Sequence, residues 1–247
     1  MNSTHAKNSP RVRHGIGGAG VRQVRLRTSG ASVEKLPDGT LLVRPDEALG
    51  PYPKVLTDRL VHWAKAFPER ICAAQRDVSR EWRRLTYAQV LAAVESVGQA
   101  LLDRGLSADR PVAILSENDL EHLVLMLAGQ HVGVPTAHLS PAYSLVSKDF
   151  GRLRHTLGIL TPGLVFASNG ERYGSAIEAV VSRDTELVVT SAAPKGRKAT
   201  LFANLLATAP TSAVKAAHGQ IQPDSVAKFL SLPVRPECPK PLSTRTG

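Results

Sequence analysis

The sequence predicts an α/β fold, a parallel sheet flanked by helices, on three observations. From about residue 85 short apolar runs alternate with stretches of helical period, Gly and Pro punctuate the changeovers, and each strand-helix-strand unit is long enough for a crossover. With 247 residues, 43% of them hydrophobic and 21% charged, the composition is that of a globular chain able to bury a core.

The elements follow in order. Thr57 is a cap candidate for a short helix in which Leu60, Trp63, Ala64 and Phe67 share a face and which Pro68 stops. Ile71–Gln75 and Glu81–Leu85 read as strands of a hairpin around Arg76–Arg80. Thr86 caps the clearest helix, Tyr87–Arg104, with Val90, Leu91, Val94, Val97, Leu101 and Leu102 on one side and Gly105 at its end. Val112–Leu115 is a buried-strand run. A helix over Leu120–His131, capped by Asn118 or Asp119 and closed near Gly133, precedes an extended Pro135–Leu139. Further on come a helix over Val146–Leu157, the strand Leu164–Ala167, a helix over Ala176–Ser182, the strand Leu187–Thr190, a short helix Phe202–Thr208 and a last strand, Val226–Leu230. No internal repeat is present.

Lys and Arg number 31 against 21 Asp and Glu, a net charge of +10. Residues 1–33 contain no acid, so much of the surplus lies at one end, and residues 1–30 are expected to be a disordered basic leader. Aromatic residues are scarce, at 4%, and no stripe of Lys or Arg runs along a predicted helix, which argues against the alternative of a basic module binding nucleic acid. Two isolated cysteines, Cys72 and Cys238, make neither a disulfide framework nor a metal cluster and suit a reducing cytoplasm. No apolar run approaches the roughly 20 residues that span a bilayer, so no membrane partner is expected.

The block Leu85–Pro141 has a long helix, a tight turn, the strand Val-Ala-Ile-Leu, the polar corner Ser116-Glu117-Asn118-Asp119 and a second helix. In that order and spacing it resembles the adenylate-forming acid–CoA ligases. Leu49–Arg70 and Ser140–Ala167 look most like the feruloyl-CoA synthetase branch, and the likeness runs over about Val21–Leu230. It implies that residues 31–230 form an N-terminal part of the AMP-binding synthetase fold. For the intact family it implies ATP, Mg2+ and CoA as cofactors and a hydroxycinnamic acid as substrate. The acid attacks the α-phosphate of ATP, and the CoA thiol then takes the acyl group from the adenylate.

The family's phosphate loop, Thr-Ser-Gly-Ser-Thr-Gly-x-Pro-Lys, is expected after Leu230, yet Ser231–Lys240 reads SLPVRPECPK, with no glycine and with Pro at 233, 236 and 239. The genetic code connects the two. Phe-Thr-Ser-Gly-Ser-Thr-Gly-Met-Pro-Lys written as TTC ACT TCC GGT TCG ACC GGA ATG CCC AAA, and read from its second base with G following, becomes TCA CTT CCG GTT CGA CCG GAA TGC CCA AAG. That encodes the ten residues Ser231–Lys240 without exception. Residues 231–247 are therefore expected to be an out-of-frame, disordered tail, and the chain to lack catalytic, cofactor-binding and metal-binding residues of its own. A domain stopping at Leu230 is also expected to expose apolar surface that an intact relative buries.

Other candidates are weaker. Gly15–Gly20 formally fits G-x-G-x-x-G but follows no strand and opens no helix. The basic loop Pro194–Lys198 reads as solvated. His122, His131 and His138 are nine and seven residues apart, which offers no i, i+4 pair for shared metal ligation, so packing or surface roles are expected. Ser116–Asp119 places two carboxylates at the C-terminal end of a strand, where capping is the simpler role. Trp63 and Trp82 are expected to pack against core or hairpin neighbours.

Overall fold

The computed structural model describes residues 30–230 other than 49 and 78. The basic leader, the Gly15–Gly20 motif and the segment from Ser231 fall outside the described residues. The chain divides between Pro51 and Tyr52 into two compact units. In the first, β1 (Ala31–Lys35) and β2 (Leu41–Pro45) form an antiparallel hairpin with Val33 opposite Val43. Gly39 closes its turn at φ +88°, a backbone that a side chain would strain. Sequence reasoning assigned no element here.

The second unit opens with α1 (Asp58–Ala66) and the hairpin β3 (Ile71–Arg76) and β4 (Trp82–Thr86), as the pattern predicts. Trp82 packs on that hairpin beneath the Arg76 guanidinium, and Trp63 stacks on Phe67. Helix α2 (Tyr87–Asp103) begins with a capping box: Gln89 N–H donates to Thr86 Oγ1 at 3.3 Å, and Thr86 N–H donates to Gln89 Oε1 at 2.9 Å. Then come β5 (Val112–Leu115), α3 (Leu120–Val132), β6 (Thr136–His138), α4 (Pro141–Leu145), α5 (Gly151–Leu160), β7 (Leu164–Asn169), α6 (Gly174–Val180), β8 (Glu186–Ser191), β9 (Thr200–Leu201), α7 (Phe202–Leu206), α8 (Ser212–Gln220) and β10 (Lys228–Phe229).

Six strands make one parallel sheet in the order β10-β6-β5-β7-β8-β9. Alternate residues of its central strands supply two cores. Val112, Ile114, Leu164, Phe166 and Val188 face α1, α2, α3, α7 and α8. Ala113, Leu115, Val165, Ala167, Leu187 and Val189 face α5 and α6. Both sides of these strands are therefore apolar, the signature of a sheet covered by helices on each face.

Three expectations need correction. The helix predicted over Val146–Leu157 begins only at Gly151, as α5, and the short α4 before it has no counterpart in the sequence reading. Polar side chains hold the intervening residues out of a helix, with Asp149 Oδ1 accepting from Gly151 N–H at 3.1 Å, Ser147 Oγ accepting from Phe150 N–H at 3.1 Å, and Phe150 at φ +54°. Helix α8, absent from the sequence reading, rests on Gln99 of α2, whose Oε1 accepts from Thr211 N–H and Oγ1–H at 2.9 and 2.7 Å. Thr57 stands at the N-cap of α1, but its side chain makes no capping bond and meets His131 instead.

The tightest helix–sheet approach is at Gly129 of α3, where a Cβ would lie 2.5 Å from the Val134 carbonyl oxygen and 2.9 Å from Thr136 Cγ2. Gly158 of α5 has open space around it. Gly129→Ala should cost about 1–3 kcal/mol through overpacking, while Gly158→Ala should be neutral or stabilise by up to about 1 kcal/mol. Urea unfolding midpoints check this, and equal effects at the two positions would contradict the packing described.

Candidate functional site: the crevice at the carboxyl edge of the sheet

Adjacent strands β5 and β7 send their chains to opposite faces of the sheet, β5 into α3 and β7 into α6. Their C-terminal ends therefore splay apart and leave a crevice, the position at which open α/β sheets bind ligands. A cleft of about 490 Å³ opens there, between Gln75, Arg76 and Arg83 of the hairpin, Glu117–Asp119 of the β5 loop, and Ser168 and Ser191 at the ends of β7 and β8.

The polar corner Ser116–Asp119 shapes the floor. Asp119 is the α3 cap: its Oδ1 accepts from His122 N–H at 2.6 Å, and its other oxygen accepts from the Ser116 hydroxyl. Of the two candidates named by the sequence, Asp119 does the capping. Gln75 Oε1 accepts from Leu120 N–H at 3.1 Å, so the hairpin supplies a second partner to the start of α3. Glu117 turns the other way and pairs with Arg172 from the β7–α6 loop, closing an ion pair across the crevice. Arg83 pairs with Glu121 at 2.6 Å. Arginines and carboxylates alternate around the cleft, which suits a polar ligand held by several hydrogen bonds. Among the described residues no group of three or more His, Cys, Asp or Glu converges as metal ligands.

The basic loop is solvated at Lys195 and Lys198 but not at Arg197. Arg197 is buried, its guanidinium donating to the carbonyls of Val181, Ser182 and Thr185 at 2.8, 2.6 and 3.1 Å, which ties the loop to the end of α6. The sequence carried no signal for this, because nothing local marks which Arg of a basic loop turns inward.

The histidines pair in a way their sequence spacing hides. His122 of α3 and His138 of β6 meet side by side, with Nε2 and Nδ1 2.6 Å apart. His131 stacks on His218 of α8, with ring centroids 4.2 Å apart, and its Nδ1 lies 3.1 Å from Thr57 Oγ1. His218 Nδ1 in turn lies 3.1 Å from His131 O, and its Nε2 lies 3.0 Å from Asp58 Oδ1. Burial is the main force pushing His131 down to about 4, followed by the charge of His218. Burial likewise pushes His138 down to about 4, with His122 and Lys228 adding to it. At Asp58 burial works to raise the carboxyl, but the Val55 N–H and His218 hold it below its usual value.

The profile of the AMP-binding enzyme family matches residues 60–231. The chain is 36% identical over 83 residues to a luciferin 4-monooxygenase of Nipponoluciola cruciata, a match covering 34% of this chain and 14% of that one. In structure it is similar to the luciferase-like enzyme of the mealworm Zophobas morio, with TM-score 0.52 and 19% identity over 72% of this chain and 39% of that one. It is also similar to the adenylation domain of a keto acid-selecting NRPS module bound to keto acyl adenylate, with TM-score 0.54 and 19% identity over 72% of this chain and 30% of that one. The chain thus corresponds to well under half the length of these relatives. Among the described residues no helix is long and apolar enough to cross a membrane.

The two depressed histidines fix a pH dependence. Both stay neutral in the fold down to about 4, whereas in the unfolded chain they take up protons near 6.5. Between those values the unfolded chain binds more protons, so stability should fall as pH drops from about 6.5 to about 4. Urea midpoints at pH 7.5 and 4.5 measure it, and the drop should shrink in His138→Asn. A midpoint constant across that range would contradict the burial of both rings.

Proposed function

Because the chain belongs to the AMP-binding enzyme family, we propose that it is the N-terminal part of an acid–CoA ligase of the feruloyl, or hydroxycinnamoyl, branch that works through an acyl-adenylate, and that its reading frame leaves the family's sequence after Leu230. The observation that carries this reading is a coincidence of position. The family match ends at residue 231, and the codon relation to Thr-Ser-Gly-Ser-Thr-Gly-Met-Pro-Lys begins at Ser231.

The same one-base offset is compatible with Pro241–Gly247: spelled CCG TTA TCA ACA CGC ACG GG and entered one base earlier, these residues would read Ala-Val-Ile-Asn-Thr-His-Gly. An apolar, β-prone Ala-Val-Ile after the Lys is what a strand leaving a phosphate loop requires. Each agreement demands that the base opening an observed codon be the middle base of the family codon, the base that most constrains residue chemistry.

The fold supports the same placement. Strand β10 runs parallel to β6, so the chain leaving Phe229 emerges at the carboxyl edge of the sheet, the edge that carries the crevice. A glycine-rich loop starting there would bring backbone N–H groups and a Lys to that edge, supplying the positive field that ATP phosphates need. The sequence of 231–240 has three prolines and no glycine, so it does not carry the residues on which such a loop is built. The described residues shape the crevice; on this reading the phosphate chemistry of the intact enzyme, with Mg2+ and CoA, belongs to sequence beyond Leu230.

The chain as it stands should form no hydroxycinnamoyl-CoA from ferulate, ATP and CoA. Adding one base after codon 230, with the downstream frame open, should raise thioester formation by roughly 100-fold or more, the scale on which charge-stabilising donors act. Turnover by the present chain, or an inactive repaired protein that is folded and soluble, would overturn the reading. A repaired enzyme using only fatty acids would remove the aromatic assignment and keep the acyl-adenylate one.

A further inference from the structure

We propose that His122 and His138 form a binding site for a first-row transition-metal dication, with the remaining coordination positions open to water. Their ring nitrogens, His122 Nε2 and His138 Nδ1, lie 2.6 Å apart at the carboxyl edge, beside a cleft of about 470 Å³ that Gln75, Asn118 and Asp119 also line. The inference stands apart from the ligase reading, since neither residue is assigned to that chemistry.

The outer atoms of both rings are held as ligating imidazoles usually are. His122 Nδ1–H donates to Glu117 O at 3.0 Å, and because a carbonyl only accepts, Nε2 of the neutral ring must carry its lone pair toward His138. His138 Nε2 lies 3.0 Å from Thr136 Oγ1. Without metal, the Thr136 hydroxyl donates to Nε2 and His138 Nδ1–H donates to His122. A metal ion takes the place of that shared proton. The His138 proton moves to Nε2, the Thr136 hydroxyl rotates to accept it, and two lone pairs face the metal with no net proton released. Oxygen partners on the distal nitrogens of both ligands are the arrangement that orients metal-binding histidines and raises their basicity.

A shared ion requires both rings to move. Two imidazoles on one ion at about 2.0–2.1 Å and near a right angle place their nitrogens about 3 Å apart, so the rings, which now face each other almost head-on with centroids 4.8 Å apart, must part by a few tenths of an ångström and each turn so that its lone pair points off the N···N line. His138 is neutral at neutral pH, burial having pushed it down to about 4, so proton competition is weak there. Lys228 opposes a cation at this position, since its charge already bears on His138. With two imidazoles and water, Cu2+ should bind ahead of Ni2+ and Zn2+.

The test is titration of the full chain, free of any histidine tag, with Cu2+ in competition with a chromophoric chelator, together with electron paramagnetic resonance of the complex. One ion per chain is expected, with hyperfine structure from two imidazole nitrogens. His122→Gln and His138→Ala should each weaken binding by roughly 10–100-fold, and Thr136→Val, acting only through His138, by about 10-fold. Lys228→Gln should tighten binding, and His62→Ala, on α1, should leave it unchanged. His122 reaches solvent, so His122→Gln carries the test even if His138→Ala unfolds. Binding indifferent to His122→Gln, or a spectrum with one nitrogen or none, would overturn the site.

Discussion

Strands β5 and β7 lie side by side with both faces buried, and no residue of Val112–Leu115 or Leu164–Ala167 is exposed. An apolar pair of this kind cannot sit at a sheet edge or face water, so helices must cover both sides. Right-handed crossovers then send the chain after β5 to one face and the chain after β7 to the other. The crevice follows from that divergence, as do the loop Ser116–Asp119 on one wall and Asn169–Arg172 on the other. The Glu117–Arg172 ion pair spans the gap that the topology opens.

Much of this arrangement is legible in the sequence. Strand and helix positions from Ile71 to Ala137 follow from periodicity, from the Thr86 cap and from Gly105 and Gly133, both left-handed in the fold. The polar corner after Val-Ala-Ile-Leu stands out because caps favour Asp and Asn. What stays hidden depends on partners distant in sequence. Helix α8 is weakly patterned and needs Gln99 of α2 to seat Thr211. Arg197 differs from its basic neighbours only through three carbonyls that the fold brings to it. The break between α4 and α5 comes from a local contest, in which Ser147 and Asp149 offer the backbone better partners than a helix does.

The histidines show the same limit at the level of a site. A test for metal ligation along one helix looks at i, i+4, whereas His122 meets His138 from a neighbouring strand and His131 meets His218 from a helix 87 residues away. Parallel crossovers create such encounters, because each β-α-β unit returns the chain beside its own start. The register that sets β6 beside β5, with Ile114 opposite His138, is what brings His138 to the crevice edge.

The fold and the family membership share one boundary. Strand β10 points the chain at the carboxyl edge, and one residue past Leu230 the family match ends. On the proposed reading, the residues beyond that point are a phosphate-loop sequence read in a shifted frame. Resequencing the gene across codons 225–245 and translating it in the adjacent frame tests this most directly. The account predicts an open frame reading Thr-Ser-Gly-Ser-Thr-Gly-x-Pro-Lys and continuing downstream; an adjacent frame that encodes other residues there would contradict it.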